Sequence, residues 1–415
     1  MTDKQTTFKR ELKKRLYFNS SLSCAELSVL TNKSLPFTTK FLNELIQEAG
    51  VVETGLANST GGRRAHTYSL KPDVEYIVCV AMDQLFTNIG IVDMRNNIIG
   101  NVEKIDLPLN DNLQALSQLK NRIVQHIGKS GMAKEKLVGI GIGMPGFVDV
   151  KKGINYTFLP SGNESIVSYI QDEIDIPVLI DNDSSLMGLA ELRLGEARYH
   201  KNAMVINIGW GVGLGMILDG KLFRGHNGFA GEFSHIPVFN ENQKICSCGK
   251  TGCLETETSL LVILEKAKVG LESGKMSILK NLSFENPDES VNAIMEAASK
   301  GDTFAVELFS EAGYNLGLGI SILITLLNPE IIILSGRGAA AGKLWLAPIQ
   351  QAINEHCIPK VAEDVQLKIS PLGQRTNLIG AAALVMENYV NLQTSGRGMK
   401  MEDTSSTKKV KIASF

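Results

Sequence analysis

The sequence predicts an α/β protein in which a small N-terminal winged helix-turn-helix precedes a larger body of two similar lobes. Three observations support this fold class. Helical segments followed by a hairpin pattern occupy residues 1–72. A buried-strand texture starts at Glu75. From there a strand meander, a helix, a strand and a helix occur twice in succession, which implies two α/β lobes facing a cleft.

The N-terminal domain, residues 1–72, which we call the head, is predicted from helix-capping signals and a hairpin pattern. Residues 8–17 have the pattern of a basic amphipathic helix. Ser23 and Glu26 form a capping box that opens a short second helix, and a longer third helix follows it. The segments at 51–54 and 65–70 enclose a polar, Gly-rich loop and predict a β-hairpin that would serve as the wing.

Two groups of polar side chains in the head are candidates for contact with DNA. The first is expected to project from the exposed face of the third helix toward base edges in the major groove. Its members are Thr38, Thr39, Lys40 and Asn43. Arg63 and Arg64 lie at the tip of the wing, where arginines enter a narrow minor groove or hold phosphates. The alternative is a solvated helix face and an arginine pair that serves solubility; the order of the elements favours DNA.

The body is predicted as residues 73–391, divided into a lobe of about 73–200 plus 372–391 and a lobe of 201–371. The strands and helices of the first lobe are expected at residues 75–82, 88–93, 97–100, 113–128, 137–142, 178–180 and 183–195. Those of the second begin at 203–208, 213–218 and 221–223 and end with a strand at 331–334. A last helix at 377–389 should pack back on the first lobe, and residues 392–415, rich in Ser, Thr, Lys and Gly, are predicted to be a disordered tail.

Charge and composition narrow the functional classes. Residues 1–72 carry a net +5, residues 73–391 a net −10 and residues 392–415 a net +3. A basic head on an acidic body suggests that the head binds a polyanion and the body binds something else, the alternative being ordinary scatter in charge. No run of eighteen apolar residues and no signal peptide is found, so we expect a cytoplasmic protein without membrane insertion. Its six cysteines should be reduced thiols or metal ligands.

Three cysteines within eight residues form the strongest local signal. Cys246, Cys248 and Cys253 alternate with glycines in a tight knuckle, and His235 lies eleven residues upstream. Together they supply the four ligands of a tetrahedral Cys₃His zinc site. The alternative is a surface loop without metal, but clustered thiols in a reducing cytosol favour a metal. Because all four positions are filled by protein, the predicted zinc is structural rather than catalytic.

The same region resembles a known family. The runs Gly228–His235 and Cys246–Glu255 are similar to the signature of the ROK family, which comprises repressors, open reading frames and kinases. Gly143–Asp149 resembles the GxPGxVD loop of the family, and Asp181–Ser185 lies where the family carries an (E)NDAN segment. The resemblance covers residues 75–391 and implies an actin-like, two-lobed sugar-kinase fold. The winged helix resembles the DNA-binding half of the NagC/Mlc/XylR-type repressors, which the kinases lack.

The resemblance also implies a set of sugar-binding residues. Asp183 matches the position of the general base that accepts a sugar hydroxyl proton in family kinases. The positions that would hold sugar hydroxyls are Asn182, Asp183, Glu232, His235 and Glu255. Carboxylates and an imidazole suit a polyhydroxyl ligand because each can accept a directional hydrogen bond from a hydroxyl group. For Asp183 alone, a helix N-cap is the alternative role.

Both phosphate loops depart from the kinase pattern. After the first strand the chain has Asp83-Gln84-Leu85-Phe86-Thr87, where a kinase has an Asp-x-Gly-Gly-Thr turn whose glycines let amides approach phosphate. The second loop carries Trp210 where the family has a hydroxyl side chain. Apolar bulk in both loops argues against ATP as a cofactor.

These features predict a sugar-responsive transcriptional regulator, most simply a repressor of carbohydrate uptake or catabolism. Its expected partners are operator DNA and a sugar or amino-sugar effector, and two-fold operators favour a homodimer or a dimer of dimers. The first alternative is an ATP-dependent sugar kinase, of the glucokinase or N-acetylhexosamine kinase type, with an added DNA-binding head. The second is a regulator controlled by a protein partner.

Overall fold

The computed structural model describes residues 3–57, 64–162, 164–239 and 244–392, and it confirms the predicted α/β class with an N-terminal helical head. The predicted tail lies outside the described residues except for Leu392. Two five-stranded sheets form the body, and a three-stranded sheet completes the head.

The head is built from three helices and a small antiparallel sheet. Its elements are α1 (Asp3–Asn19), β1 (Leu22–Ser23), α2 (Cys24–Thr31), α3 (Leu35–Gln47), β2 (Val51–Leu56) and β3 (His66–Leu70). The capping box at the start of α2 is confirmed, since the Ser23 hydroxyl accepts the Glu26 N–H and the Glu26 carboxylate accepts the Ser23 N–H. The two-residue strand β1, which the sequence analysis did not predict, pairs with β3 so that the sheet order is β1-β3-β2.

The first lobe contains a mixed sheet of order β10-β7-β4-β5-β6. Its elements are β4 (Tyr76–Met82), β5 (Phe86–Asp93), β6 (Ile98–Asp106), α4 (Ala115–Ser130), β7 (Leu137–Met144), β8 (Val148–Asp149), β9 (Ile154–Asn155), α5 (Ile166–Ile174), β10 (Val178–Asn182) and α6 (Asp183–Leu194). Strands β10, β7 and β4 are parallel, and β4, β5 and β6 form the antiparallel meander.

The second lobe repeats this topology with the order β13-β12-β11-β14-β15. Its elements are β11 (Ala203–Ile208), β12 (Val212–Leu218), β13 (Lys221–Phe223), α7 (Glu255–Thr258), α8 (Leu260–Glu272), α9 (Pro287–Ser299), α10 (Thr303–Leu327), β14 (Ile331–Ser335), α11 (Lys343–His356), α12 (Pro359–Ala362) and β15 (Gln366–Ile369). The last helix, α13 (Thr376–Asn388), returns to pack on β7 and β4 of the first lobe.

A pair of helices lies between the lobes. The sequence analysis placed residues 183–195 in the first lobe, but α6 packs mainly on β12 and β11 of the second sheet and against α13. The lobes therefore meet through the α6–α13 pair, and the apolar cluster around α13 continues into the head through Leu12, Leu16 and Tyr17.

Helix α10 is the core helix of the second lobe. It has the length and apolar composition of a membrane-spanning helix, but a core helix of a soluble protein passes the same test, and α10 packs closely on α11. Gly317 permits this close approach, because a Cβ there would lie 2.6 Å from the Ala352 Cβ and 2.9 Å from the Ile349 carbonyl oxygen.

We expect Gly317→Ala to destabilise the second lobe by about 1–3 kcal/mol, because the added methyl forces α10 and α11 apart. Gly128→Ala is the matched control: Gly128 is also helical, but nothing lies within 4 Å of its Cβ position, so that variant should be neutral or slightly more stable. Thermal unfolding of both variants checks the prediction, and equal midpoints would contradict it.

Candidate functional site

A cleft of about 810 Å³ separates the two lobes. Strand β10 and the start of α6 form one wall, and the loop between β11 and β12 and the segment 228–235 form the other. All five sugar-binding positions named by the resemblance line this cleft: Asn182, Asp183, Glu232, His235 and Glu255.

Asn182 and Asp183 stand where β10 passes into α6. The Asn182 Oδ1 accepts the N–H groups of Ser184 and Ser185, each at 3.0 Å, so Asn182 is the helix N-cap and Asp183 is the first helical residue. The Asn182 Nδ2 donates to the Gly146 carbonyl at 3.1 Å and thereby fixes the GxPG loop against the helix start.

The Asp183 carboxyl faces the cleft and contacts the second lobe. Its Oδ2 accepts the Asn207 Nδ2–H at 3.1 Å, and its Oδ1 accepts the Ser184 hydroxyl at 3.3 Å. Burial raises the pKa of Asp183 to about 7, against these hydrogen bonds and with a smaller contribution from the Asp83 charge. A carboxyl with a pKa near neutrality can exchange a proton with a sugar hydroxyl.

Glu232 and His235 lie at the two ends of a short 3₁₀ turn. The His235 Nε2 is 3.8 Å from the Glu232 Oε2 and the Nδ1 is 3.5 Å from the Cys246 Sγ. Burial also raises the pKa of Glu232, while the His235 imidazole opposes that shift. One nitrogen of His235 therefore faces the cleft and the other faces the thiols.

The four predicted metal ligands come together. The donor atoms of His235, Cys246, Cys248 and Cys253 all lie within 4.8 Å of one another. The Cys248 and Cys253 sulfurs are 3.6 Å apart, close to the edge of about 3.7 Å expected for two thiolates on a tetrahedral ion at Zn–S distances of about 2.3 Å. The cluster therefore has the donor set and the spacing to hold one metal ion.

Glu255 joins this knuckle to the β11–β12 loop. Its Oε1 accepts the Ser247 hydroxyl at 3.3 Å, and its Oε2 accepts the Val212 N–H at 3.1 Å. A Cβ at Gly211 would lie 2.5 Å from that Oε2, so the loop passes too close to Glu255 for a larger residue. The cysteine knuckle thus positions one wall of the cleft.

The other half of the cleft, where a nucleotide would lie in a kinase, is crossed by contacts between the lobes. The Asp83 Oδ1 accepts the N–H groups of Leu85 and Phe86 at 2.8 and 2.7 Å, so these amides are already occupied. The Asp83 Oδ2 accepts the Trp210 Nε1–H at 3.2 Å. The Arg337 guanidinium lies 4.9 Å from the Trp210 ring centroid and 3.6 Å from the Asp83 carboxylate.

Two further charges complete this group. Asp288 pairs with Arg337 and with Lys104, and the Lys104 ammonium lies 3.8 Å from the centroid of the Phe86 ring. Lys104 and Phe86 belong to the first lobe, whereas Asp288, Arg337 and Trp210 belong to the second. This cluster, which we call the interlobe latch, consists of Asp83, Phe86, Lys104, Trp210, Asp288 and Arg337.

Several contributors to the cleft, among them Asn207 and Arg337, are not among the residues predicted from the sequence. Asn207 could have been noticed as a polar residue within the apolar strand Ala203–Ile208. Arg337 follows β14 in a segment with no distinguishing local pattern, so only the fold reveals its contact with Trp210.

In the head, Thr39, Lys40, Asn43 and Arg64 are exposed, and Arg63 lies outside the described residues. The prediction that Thr38 projects from the exposed face is wrong, because Thr38 is completely buried. The buried stripe of α3 consists of Thr38, Phe41, Leu42 and Leu45. Phe37, at the edge of that stripe, is 42% exposed.

Comparisons with known proteins show which families and structures this chain is similar to. The ROK family model matches residues 86–388. A xylose repressor of Caldicellulosiruptor bescii is 28% identical over 91% of this chain and 95% of its own length. A glucokinase of Halalkalibacterium halodurans is 34% identical over 63% of this chain and 80% of its own. The crystal structure of a ROK family transcriptional regulator, a homolog of the Escherichia coli MLC protein, aligns with a TM-score of 0.74 and 25% identity over 94% of this chain and 97% of its own.

The pKa of Asp183 predicts a pH dependence of stability. Because burial raises this pKa from 3.8 to about 7, the folded protein binds more protons than the unfolded chain between these pH values. The free energy of unfolding therefore falls as pH rises through this window. Asp183→Asn removes that fall, so relative to the wild type it should gain about 1–4 kcal/mol between pH 5 and pH 8.5.

Urea unfolding of both proteins at the two pH values measures this difference. Asp172→Asn, an exposed aspartate on α5, serves as the control and should show no such gain. A pH dependence that is the same for Asp183→Asn and the wild type would contradict the buried-carboxyl interpretation.

Proposed function

The chain belongs to the ROK family, and from that premise we propose that it is a sugar-responsive transcriptional repressor whose head binds operator DNA and whose cleft binds a sugar effector. The observation that carries this proposal is the winged helix-turn-helix docked on the sugar-site lobes. The family model begins only at residue 86, whereas the repressor relative and the regulator structure match more than nine-tenths of the chain.

The contacts between head and body support a coupled response. Lys14 of α1 pairs with Glu387 of α13 at 2.8 Å, and Glu387 also pairs with Arg193 of α6. Helix α6 thus begins with Asp183 in the cleft and carries Arg193 in its last turn, beside the head. A shift of α6 on sugar binding would therefore change the position of α1 through these ion pairs.

A second anchor ties α1 to the start of the body. Lys13 pairs with Glu75 at 2.8 Å, and the Tyr389 hydroxyl donates to the same carboxylate at 3.2 Å. These three side chains are largely buried, so the ion pair is less screened by salt than a surface pair. The head is therefore held in a defined orientation that a movement of α13 can change.

A sugar kinase is the second candidate, since Asp183 and the sugar-binding positions are all present and a glucokinase is among the relatives. Phosphoryl transfer depends on amides and cations that position the γ-phosphoryl group. Here the Leu85 and Phe86 amides bind Asp83, and the Arg337 guanidinium binds Asp83, Asp288 and the Trp210 ring. The latch argues against ATP as a cofactor, and we propose that the protein is not an enzyme.

We also propose that the His/Cys cluster holds one structural zinc ion. Three thiolates and one imidazole form a donor set that suits Zn²⁺, and a closed set of four protein ligands leaves no position for a reacting water. When bound, zinc would fix the knuckle that carries Glu255 and would orient His235. The protein would act in the cytoplasm as a homodimer or a dimer of dimers, which matches the two-fold symmetry of operators.

The proposed function predicts that a substitution in the cleft changes the response to sugar without changing the affinity for operator DNA. With an operator selected from genomic fragments by the wild-type protein, the effector sugar should weaken binding at least about tenfold. Asp183→Ala should bind the same operator as tightly as the wild type does, but sugar should no longer weaken its binding. Fluorescence anisotropy of labelled operator DNA measures both quantities.

Asp172→Ala is the matched control for this test and should respond to sugar like the wild type. Steady, sugar-dependent ATP turnover by the purified protein that is abolished in Asp183→Ala would instead establish the kinase. Operator binding that no sugar changes would favour control by a protein partner.

The zinc proposal predicts one zinc per chain by elemental analysis. Cys248→Ser should lose the metal and also weaken sugar binding, because Glu255 would lose the anchor of its loop. Cys357→Ser, which alters a cysteine of the second lobe outside the cluster, should keep the metal. Zinc-free protein purified without chelator, with normal sugar binding, would contradict the proposal.

A further inference from the structure

Two aromatic side chains border the sugar-binding positions from opposite lobes. Phe147 of the GxPG segment and Phe229 of the 228–235 segment both line the cleft. Their ring centroids are 5.7 Å apart, and the rings are nearly perpendicular. The Tyr156 ring also packs against the Phe229 ring, and their centroids are 6.1 Å apart. Phe147 is 38% exposed, so this pair leaves apolar surface open at the cleft.

On the first-lobe side, hydrogen bonds hold the backbone at Phe147. The Phe147 N–H donates to the Thr157 hydroxyl at 2.9 Å, and the Phe147 carbonyl accepts the Tyr156 N–H at 2.8 Å. The preceding Gly146 carbonyl accepts the Asn182 side chain. The Phe147 ring is therefore held next to the hydroxyl-binding positions by a fixed backbone.

The loop that carries Phe229 is also held by specific contacts. The Arg224 guanidinium donates to Asp181, which is only 2% exposed, and the Arg224 carbonyl accepts the Ala230 N–H at 3.1 Å. Gly231 has φ +103°, and a Cβ there would lie 2.8 Å from the Leu214 carbonyl oxygen. An ion pair to a buried carboxylate and a glycine turn thus hold the loop that carries Phe229.

The chemistry of this pair differs from that of the neighbouring positions. The carboxylates, the imidazole and Asn182 match the hydroxyl edge of one sugar ring. The two phenyl rings offer no hydrogen-bonding group, but their faces attract the C–H face of a pyranose through dispersion and the ring quadrupole.

We propose that Phe147 and Phe229 form a second sugar subsite, so that the effector is a disaccharide whose second ring stacks on these phenyl groups. This proposal rests on the sugar-responsive function above and specifies its ligand. Pyranoses whose hydroxyls are equatorial fit best, because their axial hydrogens give each ring a flat C–H face. The hydroxyl-binding positions hold the first ring, and the aromatic pair provides selectivity for the longer ligand.

Calorimetry on the full-length protein with three matched pairs of sugars tests the subsite. The pairs are xylose with xylobiose, glucose with cellobiose, and N-acetylglucosamine with diacetylchitobiose. In the pair that binds best, the disaccharide should bind the wild type about tenfold or more tightly than its monosaccharide. Phe229→Ala and Phe147→Ala should remove this advantage and leave monosaccharide affinity within about threefold.

Phe223→Ala is the matched control, since Phe223 is 44% exposed on β13 and does not line the cleft. It should keep the preference for the disaccharide. Equal affinity of the wild type for both members of every pair would overturn the subsite, as would an equal loss of both affinities in the phenylalanine variants. If none of the six sugars binds, the subsite proposal fails, whereas the sugar-responsive function is judged separately by the operator-binding test with Asp183→Ala.

Discussion

The packing of α6 between the second sheet and α13 is the constraint on which the rest of the molecule depends. A Cβ at Gly380 of α13 would lie 2.4 Å from the Leu186 carbonyl oxygen of α6, so the two helices touch backbone to backbone. Such contacts leave little room for gradual adjustment, and a relative movement of the lobes must shift α6 as a unit. Since α6 begins at Asp183 and ends beside Arg193, one rigid helix connects the cleft with the charges under the head.

The interlobe latch occupies the half of the cleft in which a kinase of the same fold binds the nucleotide phosphates. In a phosphoryl-transfer enzyme, amides and cations in this half must remain available for phosphate. Here the Leu85 and Phe86 amides bind Asp83 of their own lobe, and Arg337 pairs with Asp288 of its own lobe. Between the lobes, Asp83 accepts the Trp210 N–H and Asp288 pairs with Lys104. These contacts form only when the lobes are close. Groups that would position phosphate in a kinase are therefore engaged in contacts that stabilise this arrangement of the two lobes.

Features set by short-range spacing could be predicted from the sequence, and those set by long-range packing could not. Cysteines within eight residues of one another must lie close together, and a capping box is a local structure, so both were accessible without a fold. On α3 the polar side chain of Thr38 suggests the exposed face, but only the packing shows that Thr38 lies at the centre of the buried stripe with Phe41, Leu42 and Leu45. Arg337 follows β14 and reaches Trp210 of the β11–β12 loop only through the folding of the second lobe, which no local pattern encodes.

The arrangement of His235 connects the metal cluster with sugar recognition. Its Nδ1 points to the thiols and its Nε2 to Glu232 and the cleft. With a metal ion on Nδ1, a neutral imidazole must carry its proton on Nε2, so that nitrogen becomes a hydrogen-bond donor with a fixed direction. Glu232 and Glu255 supply acceptors on the same wall, and Glu255 is held by Ser247 of the knuckle. A metal in the knuckle would therefore fix the donor and acceptor pattern that a sugar meets, although it contacts no sugar atom itself.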